Sequence, residues 1–281
     1  MRCRIGLAAI GLWCALWAQE DVADVPAQTL YAEDDKRKMY FLIGPYPDAP
    51  KPKEGYRLLL ILPGGDGSAD FHPFCKRIYK FALDSNYLVA QLVAPKWSED
   101  QQIVWPTQKN PGAGAQFTTE QFIEAVIADV KKRHPIDARY VFALGWSSGG
   151  PPVYSAALQK DTALRGAFIA MSVYKPELLP DRANARGRAF YILHSPDDFI
   201  PIRMAEQAEE ELGRHGARAK LETYEGGHGW RGDVYGTIQA GIRWLEQQMQ
   251  RPALQKAGQA TKQQAKKQKG AKPQPAKRKK R

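Results

Sequence analysis

The chain has 281 residues, 43% hydrophobic and 25% charged, ordinary proportions for a globular protein of one large domain or two small ones. Its net charge of +11 is localised: residues 251–281 hold twelve of the 41 Lys and Arg and none of the 30 Asp and Glu. Residues 1–250 therefore balance 29 basic against 30 acidic side chains, and the basic character belongs to a tail.

Met1-Arg2-Cys3-Arg4 is a short basic start, followed by an uncharged, mostly apolar run to Trp17 and then Ala18-Gln19-Glu20. The run is short for a membrane span and has the form of a secretory signal over residues 1–18, which predicts a secreted or periplasmic protein with no stable membrane span in the mature chain. An uncleaved N-terminal anchor is the competing reading. Cys3 and Cys14 fall in this segment, so Cys75 is the one cysteine of the expected mature chain and no internal disulfide can form. Cys75 lies among Phe74, Ile78 and Tyr79 and reads as a buried small hydrophobe.

The expected catalytic body, 19–251, opens with a lead over 19–26. Strands are then predicted at 39–43 and 57–62, a helix at 71–85 and a strand at 87–92. Thr118 with Gln121 three residues on is a capping-box pattern, and Phe122, Ile123, Val126, Ile127 and Val130 recur at helical spacing behind it. Further strands are predicted at 139–144, 167–172, 189–193 and 220–224, with helices after Ser147, at 204–215 before Gly216, and at 234–249. Alternating strands and helices predict a mainly parallel sheet of about eight strands with helices on both faces. No internal repeat, zinc-type Cys/His spacing, phosphate-binding loop or dinucleotide fingerprint occurs, so no metal or cofactor is expected. Residues 252–281 are Lys, Gln, Ala and Pro with almost no large apolar side chain, a composition expected to stay disordered.

Three segments carry chemistry. Gly145-Trp146-Ser147-Ser148-Gly149-Gly150 is G-x-S-x-G between a predicted strand and a predicted helix, the context such a nucleophile turn requires. The positions two before and two after the nucleophile must be small. For Ser147 they are Gly145 and Gly149; for Ser148 one would be Trp146. The pattern selects Ser147 as nucleophile and gives Ser148 an oxyanion-hole role through its N–H. His194-Ser195-Pro196-Asp197-Asp198 follows a later strand and offers the acid, Asp197 or Asp198. Glu225-Gly226-Gly227-His228-Gly229 follows the last strand and offers the base, His228. The order Ser, acid, His suits an imidazole that takes the serine proton and a carboxylate that fixes its tautomer. A bland alternative has His228 simply packing on Trp230. His194 reads as a structural brace for the acid loop.

The segment 194–201 resembles the H-G-x-x-D-x-x-V-P stretch of dienelactone-hydrolase-like and feruloyl-esterase-like α/β-hydrolases, one residue shorter here. The resemblance spans roughly residues 27–250 and implies an α/β-hydrolase fold and a serine esterase of the phospholipase/carboxylesterase type. Counting from His194 gives Asp198 and counting back from Pro201 gives Asp197; the anchor at the strand end favours Asp198 as the acid of the triad, with Asp197 as the competitor. Pro63-Gly64-Gly65-Asp66-Gly67-Ser68 stands where such enzymes carry an H-G-G-G-type oxyanion loop, with Pro63 in place of the His. Gly65 or Asp66 would be its donor beside Ser148.

About fifteen residues separate the strands at 167–172 and 189–193, room for a loop and not a large lid, which predicts an open site. Trp97, Trp105 and Trp146 are candidates for an apolar or sugar-stacking substrate wall. The expected activity is hydrolysis of short acyl or carbohydrate-linked esters, small or polysaccharide-bound, through an acyl-enzyme. A serine peptidase on the same fold is one alternative. A hydrolase-like protein that binds an anionic polymer or surface through its basic tail is the other.

Overall fold

The computed structural model describes residues 21–250; the expected signal segment and basic tail lie outside the described residues. Eight strands form one sheet: β1 (Ala27–Tyr31), β2 (Met39–Ile43), β3 (Tyr56–Leu62), β4 (Tyr87–Leu92), β5 (Ile136–Trp146), β6 (Gly166–Ala170), β7 (Ala189–His194) and β8 (Arg218–Thr223). Their spatial order is β1-β2-β4-β3-β5-β6-β7-β8. β2 runs antiparallel to both β1 and β4, and every pairing from β4 across to β8 is parallel. The sequence pattern named seven of these strands. It missed β1 because Gln28 and Thr29 face solvent on an outer strand, which leaves no apolar alternation to read.

Both faces of the sheet are covered. Along β3, Leu58, Leu60 and Leu62 enter one core, and Leu59 and Ile61 the other, the two-residue alternation of a pleated strand. The first core is roofed by α2 (Thr119–Arg133), α3 (Gly150–Ala157) and α4 (Arg203–Arg214). The second is roofed by α1 (His72–Arg77) and by α5, residues 234–250. Strands buried on two sides read as near-continuous apolar runs, and β3, β4, β6 and β7 do, interrupted only by Arg57, Gln91 and His194.

Local signals account for several boundaries. Thr118 and Gln121 form the reciprocal capping box that starts α2. The helix predicted at 71–85 is a composite: a 3₁₀ turn at Ala69–Phe71, then α1, then a π turn at Ile78–Ala82. The wider last turn lets Ile78, Tyr79 and Ala82 all reach the core. Between β6 and β7 the chain makes only two short 3₁₀ turns, Pro176–Leu178 and Arg182–Ala185, so no large lid is inserted there. No helix among the described residues is long and apolar enough to cross a membrane.

Candidate active site

The parallel strands β3, β5, β7 and β8 all end on the same edge of the sheet, and each is followed by one of the chemistry-bearing segments. Such carboxyl-end edges are where open α/β sheets place their ligands.

The turn after β5 is set by steric exclusion. Ser147 adopts a φ of +51°, a left-handed conformation that costs a non-glycine residue about 1–3 kcal/mol. A Cβ at Gly145 would lie 2.3 Å from the Gly149 carbonyl oxygen, and one at Gly149 would lie 2.1 Å from the Leu62 carbonyl oxygen. A Cβ at Gly150 would meet Ser172 Oγ at 2.2 Å. The glycines therefore permit β3, β5 and α3 to converge behind Ser147. Ser172 Oγ donates to the Ser147 carbonyl at 2.8 Å, holding the strained residue from below.

The Ser147 hydroxyl faces His228, with Oγ 3.1 Å from Nε2. On the other side of the ring, His228 Nδ1 lies 3.0 and 2.9 Å from the two carboxylate oxygens of Asp198. A carboxylate can only accept, so Nδ1 carries the proton and Nε2 is left to accept from Ser147. The Asp198 side chain is fully buried and that of His228 a quarter exposed. Asp198 Oδ1 also accepts the Ile200 N–H at 2.9 Å, which compensates part of the desolvation of a buried charge. Asp197, the competing acid, is exposed. Of the two carboxylates, Asp198 is the one on the imidazole.

The loops carrying Asp198 and His228 are cross-braced. Ser195 is fully buried, and its Oγ accepts the N–H groups of Asp197 at 3.2 Å and of Gly227 at 3.1 Å. One hydroxyl thus joins the acid loop to the histidine loop. His194, also fully buried, donates from Nε2 to the Ile200 carbonyl at 2.9 Å. Tyr224 donates to the Gly227 carbonyl at 2.9 Å. Burial, reinforced by the nearby Asp198 charge, pushes the Tyr224 hydroxyl up to about 12, so it remains a donor throughout the working pH range. Ser172, Ser195 and Tyr224 carry no motif. Their roles exist only once distant loops have met.

The segment Pro63–Ser68 approaches the turn from β3. Ser148 Oγ donates to the Gly65 carbonyl at 2.8 Å, tying this loop to the residue after Ser147. Asp66 accepts the Ser68 N–H at 3.0 Å. Two of the three tryptophans expected in a substrate wall hold the loop in place. A Cβ on Gly64 would lie 2.7 Å from Trp146, and Trp105 Nε1 donates to the Pro63 carbonyl at 3.1 Å. Trp146 is a core residue, edge-on to Phe71, Phe74 and Trp230. Strand alternation sends its ring to the back of the sheet, so it is no wall residue. Trp97 packs on Phe117, with Arg37 over its ring. Trp105 lines a cavity beside Ser148. Phe199 lies tilted against the His228 ring, with centroids 4.5 Å apart, while remaining 78% exposed.

Cys75 is buried in the second core, where burial pushes its thiol up, and it lies outside this cluster. Among the described residues, no group of three or more His, Cys, Asp or Glu is placed to hold a metal ion.

No protein-family model matches the chain. Among solved structures, the chain is similar to an α/β-hydrolase enzyme, MGS-M1, from a Medee basin deep-sea metagenome library. That match has a TM-score of 0.60 at 13% identity and covers 80% of this chain and 98% of the other. It is similar to fungal esterases from Rhizomucor miehei (TM-score 0.62, 11% identity, 83% and 85% covered). A thermostable esterase from Pseudomonas putida ECU1011 also matches (TM-score 0.58, 14% identity, 85% and 88% covered). With the strand order above, these likenesses give the chain the α/β-hydrolase fold.

Proposed function

We propose that this chain is a serine hydrolase that cleaves carboxylic esters through an acyl-enzyme on Ser147, with His228 as general base and Asp198 as its orienting acid. The observation that carries the reading is the unbroken relay from Ser147 Oγ through the imidazole to the buried Asp198 carboxylate.

In this mechanism Ser147 Oγ attacks the ester carbonyl carbon as its proton passes to His228 Nε2. The oxyanion is met by the Ser148 N–H, in the 3₁₀ turn that leads into α3, and by the backbone N–H groups of the Gly65–Asp66 loop. Collapse breaks the carbon–oxygen bond of the ester, and the alcohol leaves with the proton from Nε2. Water then attacks the acyl-Ser147 carbonyl, giving its proton to Nε2, and the acid departs as Ser147 recovers its hydrogen. Asp198 stays ionised and supports the transient imidazolium.

Neighbouring folds that are esterases favour an ester over a peptide, and the short connection between β6 and β7 favours soluble or short-chain substrates, including carbohydrate-linked esters. The secreted or periplasmic location and a tethering role for the basic tail belong to the same proposal. A truncation lacking 252–281 is expected to keep ester turnover and lose retention on a polyanion column.

The direct test is release of p-nitrophenol from p-nitrophenyl acetate and butyrate. The intact chain is expected to turn over, and Ser147→Ala to lose on the order of 10⁴-fold or more in kcat. Equal turnover by Ser147→Ala would overturn the assignment.

A further inference from the structure

A cavity of about 220 Å³ opens beside the nucleophile turn. Its apolar walls come from two loops and one helix: Val104 and Trp105 after β4, Pro151 at the start of α3, and Val173 and Leu179 after β6. It touches Ser148, the residue after Ser147 and the proposed oxyanion donor, and none of Ser147, Gly65, Asp66, His228 and Phe199 lines it. That placement decides which half of a substrate it can take. The leaving group must face His228, because Nε2 protonates it. A cavity that adjoins the oxyanion donor and lies away from the imidazole receives the acyl half. Its volume is below the roughly 300–1,000 Å³ typical of sites for drug-sized ligands, so the acyl group is short.

The lining carries one further feature. Lys175, a solvent-exposed residue, is its one charged side chain, and no Asp or Glu contributes to it. Among the described residues, Lys175 has neither a carboxylate partner nor a side-chain hydrogen bond, and the same holds for the side-chain amide of Asn110 in the opposite loop. A lysine can lay its aliphatic stem along an apolar wall and keep its ammonium at a polar end. A purely hydrocarbon acyl chain would offer that ammonium nothing. A chain ending in a carboxylate would pair with it.

Resting on the hydrolase reading above, we propose that this cavity is an acyl site selective for short chains with a terminal carboxylate, so that the preferred substrates are half-esters of dicarboxylic acids. The bond broken is the same: half-ester and water give the diacid and the alcohol. Lys175 is a specificity residue in this scheme and takes no part in the proton transfers.

The test compares kcat/KM for mono-p-nitrophenyl glutarate with that for p-nitrophenyl valerate, esters of equal chain length that differ at the far end. The wild-type ratio is expected to exceed one, reaching roughly 1.5 to 5, the range for an exposed ion pair, to appear in KM, and to shrink with added salt. Lys175→Met should bring the ratio to one or below, and Lys175→Glu should lower it further. Lys53→Met, at an exposed lysine outside the cavity, should leave it as it is. A wild-type ratio at or below one, or a ratio unchanged by Lys175→Met, would overturn the proposal while valerate turnover left the hydrolase reading intact. Turnover of neither ester would remove both.

Discussion

The Ser147 turn and the two loops that face it reach their geometry by different means. Around Ser147 the chain is fixed by exclusion, since Gly145 and Gly149 sit where a single methyl group would overlap backbone oxygen. Around Asp198 and His228 the chain is fixed by hydrogen bonds: Ser195 to two N–H groups, His194 to Ile200, and Tyr224 to Gly227. A turn held by exclusion tolerates no added atom and fails together with the fold. Loops held by polar bonds can lose one and leave the sheet standing. The comparison implies that substitutions of the turn's glycines act on stability, and that substitutions in the loops separate activity from stability.

The largest effect expected is on catalysis with the fold preserved. Asp198→Asn keeps the shape of the buried side chain but removes the charge that orients and stabilises the imidazole. Turnover should fall about 10⁴-fold with little change in circular dichroism. Asp197→Asn, on the exposed neighbour, should change kcat/KM by less than about twofold, as surface substitutions do. Similar losses in the two variants would mean that the loop as a whole, and not the Asp198 carboxylate, supports His228.

Next in size is the complementary case. Gly149→Ala should destabilise the chain by about 3 kcal/mol through overpacking against Leu62, lowering Tm by about 6–12 °C for a domain this large. An unshifted Tm would show that the turn is looser than its contacts imply.

The smallest effect sharpens the contrast. Ser195→Ala leaves two N–H groups without their acceptor and unties the acid loop from the histidine loop. The expected cost is about tenfold in kcat, of the kind seen when a group supporting a functional residue is removed, with Tm moving far less than in Gly149→Ala. A large loss of stability at unchanged kcat would reverse the roles assigned to the two regions.

The same division explains what could be read before any coordinates. Steric exclusion leaves a local signature, and the glycine spacing picked out Ser147 over Ser148 with no knowledge of neighbours. The sheet and its helices were legible wherever burial imposes a period, as at Phe122 to Val130 in α2. The outer strand β1 was illegible because Gln28 and Thr29 face solvent. Bonds between distant loops leave no local signature, so no motif marks Ser172, Ser195 or Tyr224, and spacing along the chain favours Asp198 over Asp197 only weakly, whereas the direction of the carboxylates separates them. Trp146 misled for a related reason. An aromatic beside a nucleophile suggests a substrate wall, but strand alternation turns its ring into the core, under Gly64.

The account stands on an activated Ser147, and a fluorophosphonate probe reads that property most directly. The folded chain should take up one equivalent of probe, mapped by peptide mass spectrometry to Ser147, and labelling should fall sharply in Asp198→Asn while persisting in Asp197→Asn. Folded protein that stays unlabelled, or that is labelled on Ser148 or elsewhere, would contradict the account.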